Sequence, residues 1–66
     1  VEITLNGEPR VMPDGSTVAD LVRALDLENK RIAVELNREI VGRGRFGEQR
    51  LAGGDVVEIV HFVGGG

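Results

Sequence analysis

The sequence has 66 residues, 41% of them hydrophobic and 29% charged, with a formal net charge of −3. That balance suits one small folded domain, of a size that buries only about 60% of the surface its unfolded chain exposes. Mild acidity argues against general nucleic-acid binding, the lack of cysteine excludes disulfides and thiolate chemistry, and no apolar run approaches the roughly 20 residues of a membrane-spanning helix.

The chain opens on "VEITLN", where Val1, Ile3 and Leu5 alternate with Glu2, Thr4 and Asn6, the pattern of a half-buried strand. Asn6-Gly7 follows, and both residues tolerate the positive φ of a type I′ hairpin turn. The returning segment "EPRVM" contains Pro9, which cannot donate to a ladder, so this strand belongs at a sheet edge. From Pro13 the period changes. Val18, Leu21, Val22 and Leu25 fall on one face of an amphipathic helix, with Ser16 or Thr17 as N-cap and Asp20 in the first turn. The polar cluster Glu28-Asn29-Lys30-Arg31 is expected to end it.

"IAVEL" is a second alternating strand, with Ile32, Val34 and Leu36 inward. Asn37-Arg38-Glu39 turns it into a short partner, Glu39-Ile40-Val41. The segment "GRGRFGEQR" has three glycines and no periodicity, and reads as an exposed loop before Leu51 docks back on the core. Gly53-Gly54-Asp55 marks another turn, and the longest strand is expected from Val56 to Val63. One helix on a small mixed sheet is an α+β arrangement. Residues 1–63 would form the single domain and 64–66 a glycine tail.

The charge is unevenly spread. Residues 37–50 set Arg38, Arg43, Arg45 and Arg50 against Glu39 and Glu48, a net +2, whereas residues 1–36 carry −3 and residues 51–66 carry −2. This basic stretch suits a solvated loop or an acidic protein partner.

The last strand carries more apolar surface than one covered face needs. Val57, Ile59, His61 and Val63 make one face, and Val56, Glu58, Val60 and Phe62 the other. Glu58 marks the second face as the solvent side, because an unpaired carboxylate is costly to bury. Val60 and Phe62 then become exposed apolar groups, which often mark a partner site. His61 is the lone histidine, and Thr4, Ser16 and Thr17 are accounted for by strand and cap roles, so no self-contained active site and no metal cluster is expected.

Three glycines follow that strand. Without Cβ atoms, Gly64, Gly65 and Gly66 can thread a narrow channel and reach about 10 Å in extended form. A Gly66 carboxylate would be unhindered at its carbonyl carbon. A glycine-rich end can also be a frayed terminus, but here it adjoins a small sheet-and-helix body and an apolar patch.

Taken together, "LNGE", "IAVELNREIV", "RGRF" and "LAGGDVVEIVHFVGGG" resemble the ThiS family, the ubiquitin-like β-grasp sulfur carriers of thiamine biosynthesis, over nearly the whole length. The Gly-Gly end is shared by all ubiquitin-like carriers, whereas the longer closing segment is more specific. The loop is richer in glycine than the family leads one to expect. The resemblance implies a carrier that is co-substrate and not enzyme, with no bound cofactor. A ThiF-like adenylyltransferase of the ubiquitin-activating type would use Mg-ATP to adenylate Gly66. A persulfide derived from a cysteine desulfurase would convert it to a thiocarboxylate, and a ThiG-like thiazole synthase would take the sulfur. It also implies Gly64 and Gly65 as the threading segment and Val60 and Phe62 as docking contacts. Arg43 and Arg45 would make charge-assisted contacts with an acidic partner surface. A cytoplasmic setting is expected, since secreted domains this small usually carry disulfides and no secretory segment opens the sequence. The alternatives are the small subunit of molybdopterin synthase, another carrier of this kind, and a ubiquitin-like binding module that does not use its terminus.

Overall fold

The computed structural model describes residues 1–62; the expectations placed on Val63, Gly64, Gly65 and Gly66, including the domain-tail boundary, lie outside the described residues. Its elements run β1 (Glu2–Leu5), β2 (Glu8–Val11), α1 (Val18–Ala24), β3 (Ile32–Leu36), β4 (Glu39–Val41), a single 3-10 turn (Arg43–Arg45) and β5 (Val56–His61). The sheet order is β2-β1-β5-β3-β4. Only the central pair β1 and β5 is parallel; the other neighbours are antiparallel. This is the α+β architecture expected, a ubiquitin-like β-grasp with α1 across one face of a five-stranded mixed sheet.

Two-residue turns set both hairpins. Asn6 and Gly7 have φ of 50° and 85°, and Asn37 and Arg38 have φ of 52° and 73°. Positive φ at both central residues gives a twist that matches the flanking strands. Edge strand β2 carries Pro9, where a missing donor costs no ladder bond.

The core lies between the helix and the inner sheet face. Ile3, Val34, Leu36, Val57 and Ile59 point from the strands towards Val18, Leu21 and Val22 of α1, with Met12 and Leu51 closing the sides. The N-cap is Thr17, not Ser16. Thr17 Oγ1 accepts from Asp20 N at 3.2 Å and Asp20 Oδ2 accepts from Thr17 N at 2.9 Å, a reciprocal capping box. Ser16 is buried and donates its hydroxyl to Pro13 O at 2.6 Å.

Two expectations need correction. The helix stops at Ala24, before the polar cluster. Asp26 takes φ of 61°, its N–H bonds Arg23 O, and Leu27 N–H bonds Val22 O, which together make a Schellman ending. Nor is the "GRGRFGEQR" segment merely an exposed loop. Phe46 is only 6% exposed and belongs to the core. The loop carbonyls of Gln49 and Phe46 accept from Val18 N and Ala19 N at 2.9 and 3.0 Å. They satisfy helix N–H groups that have no partner within the helix.

Candidate functional site

Strand β5 is held from both sides and at both ends. Asn37 Oδ1 accepts from Val56 N at 2.9 Å, and Asn37 N donates to Val56 O at 2.8 Å. Farther along, Asn6 N donates to Val57 O, and Asn6 Oδ1 accepts from Ile59 N. The antiparallel ladder with β3 runs to the pair Ile32 and His61. The strand ends at His61, so Phe62, expected within it from the sequence, lies just beyond its end. Phe62 N still donates to Arg31 O at 2.9 Å, so residue 62 remains tied to the fold.

With Val57 and Ile59 buried, Val56, Glu58 and Val60 face outward, followed by an exposed Phe62. Val60 is 55% and Phe62 54% exposed, as the position of Glu58 in the alternation leads one to expect. Register adds what alternation alone does not reveal. Ala33 lies beside Val60, Glu35 beside Glu58, and Ile40, 70% exposed, beside Glu35. Val56 lies beside Thr4 on the other flank. The outer face is therefore an apolar band with two carboxylates opposite each other near its centre. Like charges so placed oppose sheet formation.

The two loop arginines have different surroundings. Arg43 folds back onto its own chain: Nη1 donates to Glu28 O at 3.2 Å and Nη2 to Lys30 O at 2.6 Å. Its guanidinium carbon lies 5.5 Å from the centre of the Phe46 ring, within cation–π range. Arg45 lines a shallow hollow with Asn37, Glu39 and Ile40, at the edge of the outer face. The structure thus brings Val60 and Phe62 together on one face. It places Arg45 near the β4 border of that face and commits Arg43 to internal bonds. Ile40 was missed from the sequence, although its alternation with Glu39 and Val41 offered a weak signal.

The hydroxyls of Ser16 and Thr17 are engaged by Pro13 O and Asp20 N, and His61 is exposed on the last turn of the ladder. Hydrogen bonds from Thr17, first from its backbone N–H and then from its hydroxyl, hold the Asp20 carboxyl below its ordinary pKa, with Arg23 adding to the effect and desolvation opposing it. Among the described residues no group of three or more His, Cys, Asp or Glu side chains is placed to hold a metal ion. No helix among them is long and apolar enough to cross a membrane. What the arrangement offers is a set of exposed apolar side chains, Val56, Val60 and Phe62, on and just beyond the strand that precedes the glycines in the sequence.

Comparison with known proteins gives that surface a context. The chain is 48% identical over 65 residues to the sulfur carrier protein ThiS of Bacillus subtilis strain 168, covering 97% of this chain and 98% of that one. It is 41% identical over all 66 residues to a thiazole synthase of Magnetococcus marinus, of which it spans 20%. A crystal structure of the thiamine biosynthesis protein ThiS from Geobacter metallireducens superposes with a TM-score of 0.83 at 33% identity, with both chains fully covered. A sequence model described as "ThiS family" matches residues 3–66, and with these relatives it shows that the chain belongs to the ThiS family.

Proposed function

We propose that the chain is a sulfur carrier of thiamine biosynthesis whose reactive group is the carboxylate of Gly66. A ThiF-like adenylyltransferase binds the outer sheet face through Val60 and Phe62, with Arg45 at its margin, and receives Gly64 and Gly65 as the threaded segment. Mg-ATP is bound by that enzyme and not by the carrier. A Gly66 carboxylate oxygen attacks the α-phosphorus of ATP, pyrophosphate leaves, and an acyl-adenylate forms. The terminal sulfur of a persulfide from a cysteine desulfurase displaces AMP, and a second thiol cleaves the resulting S–S bond to leave the thiocarboxylate. A ThiG-like thiazole synthase then takes the sulfur. The carrier's role is that of co-substrate.

One observation carries this reading: the exposed Val60 lies on β5 and the exposed Phe62 just beyond its end, two residues before Gly64 in the sequence. A partner that docks on those side chains holds the glycines at a fixed offset. Glycine, lacking Cβ, lets its carbonyl approach a reacting phosphate closely. The synthase as receiver is supported by the Magnetococcus protein, named thiazole synthase, in which a segment similar to this whole chain forms one fifth of the length. Joining two partners in one chain raises their effective concentration.

The test is an intact-mass measurement after incubation with Mg-ATP, the adenylyltransferase, a cysteine desulfurase and cysteine. A gain of one sulfur for one oxygen, lost when Gly65 and Gly66 are deleted, is expected. An unchanged mass with demonstrably active partners would refute the reading.

A further inference from the structure

The connection between α1 and β3 has little regular structure of its own, yet the chain's exit depends on it. Phe62 N, beyond the last pair of the ladder, donates to Arg31 O at 2.9 Å. The carbonyls on either side of Asn29 in that connection, Glu28 O and Lys30 O, both accept from the Arg43 guanidinium. Arg43 begins the 3-10 turn and is followed closely by the buried Phe46, over whose ring its guanidinium lies. A line of contacts therefore runs from the core at Phe46, through Arg43, to the peptide next to Arg31 and on to Phe62. The Arg23–Glu28 ion pair, at 3.8 Å and exposed, is a weaker second tie on the same connection.

From this geometry we infer that Arg43 is a positioning residue for the tail and not a contact for a partner. Two carbonyls two residues apart are bridged by two nitrogens of one planar fork, a task a single ammonium performs poorly. The fork holds the Glu28–Arg31 connection against the body. That fixes Arg31 O and so the place and direction in which residue 62 leaves the sheet. The inference rests on the tail chemistry proposed above, where a small displacement at the root carries a reacting carboxylate out of alignment with ATP.

The test pairs hydrogen exchange in the isolated chain with adenylation kinetics, using Arg43→Ala and Arg43→Lys. In Arg43→Ala the Phe62 amide should exchange roughly tenfold faster while Val57 keeps its protection, because the opening is local. With the chain as variable substrate of the adenylyltransferase, kcat should fall roughly tenfold and KM stay within about twofold, since docking is intact and alignment is not. Arg43→Lys keeps the charge without the fork and should fail to restore either quantity. Arg50→Ala, an exposed arginine outside these contacts, should match the unmodified chain. Unchanged exchange at Phe62, a loss confined to KM, or full rescue by lysine would overturn the inference. Failure of the unmodified chain to be adenylated would overturn the functional reading, and with it the kinetic half of this one, while the exchange measurement decides the clamp by itself.

Discussion

The side-chain amide of Asn6 occupies the place of a peptide group beside Ile59. Its Oδ1 accepts from Ile59 N at 2.9 Å and its Nδ2 donates to Ile59 O at 3.3 Å. The parallel pairing of β1 with β5 ends at Leu5 and Val57, because the chain turns back into β2 at Asn6. Without a substitute, the N–H and the C=O of Ile59 would both lose this partner at the centre of the sheet. Asparagine suits the position twice over, since it supplies donor and acceptor and tolerates the left-handed conformation.

Asn6→Gly separates these two roles, for glycine keeps the φ of 50° at no steric cost and loses the amide. We expect it to lower stability by about 1–3 kcal/mol, the cost of leaving partly buried peptide groups unpaired. Asn6→Ala should lose about 1 kcal/mol more through backbone strain. Urea midpoints at constant m-value read both, and equal stabilities for Asn6→Gly and the original chain would show that the amide bonds contribute nothing.

Phe46 makes the second case. Its loop offers neither helical nor alternating periodicity, and three glycines surround it, yet it is core. Phe46→Ala should cost about 3–5 kcal/mol, as for other buried phenylalanines. A domain of this size has little more than that to lose, so the variant should be largely unfolded at 37 °C by circular dichroism. A cooperative transition close to that of the original chain would sink this assignment.

These two residues mark where the sequence is legible and where it is not. Local rules find the Asn6-Gly7 turn, the strands, the helix face and the outward direction of Val60 and Phe62, because period and turn chemistry are properties of neighbours in the chain. Phe46 is invisible to them, since the helix on which its loop docks lies nearly thirty residues away. The helix ending at Ala24 is concealed by Asp26, which takes the left-handed position that glycine usually marks. The opposition of Glu35 and Glu58 follows from register, which no single strand discloses. Arg43 is an exposed cation, and its bonds to Glu28 O and Lys30 O, residues distant in the sequence, show only in the structure.

The capping box gives a pH signature. Asp20 binds its proton less readily in the folded chain, where Thr17 N–H and hydroxyl groups stabilise the carboxylate, than in the unfolded one. The unfolded state therefore takes up protons first as pH falls, and the stabilisation is lost. It should be complete above the ordinary carboxylate range and disappear as pH drops through the lowered pKa. Asp20→Asn keeps an acceptor for Thr17 N without the charge. The difference in Tm between the original chain and Asp20→Asn should hold constant from pH 7 down to the ordinary carboxylate range and shrink below it towards pH 2, and a difference independent of pH throughout would refute the charge-based account.

Phe62→Asp tests the docking face directly. The side chain is 54% exposed, and the tie of Phe62 to the fold, from its N to Arg31 O, belongs to the backbone. A change there should alter folding stability by no more than about 0.5 kcal/mol, as for most surface substitutions. Binding is another matter, because an aromatic at the centre of an interface commonly accounts for 2 kcal/mol or more, and an aspartate adds a charge to be desolvated. Affinity for the adenylyltransferase should fall by roughly thirtyfold or more in calorimetric titration. Unfolding of Phe62→Asp would mean that the outer and inner faces of this segment are reversed, and unaltered affinity would move the docking surface away from β5. Retained folding with lost affinity would identify Phe62 as a contact the partner uses, next to the point where the glycines begin.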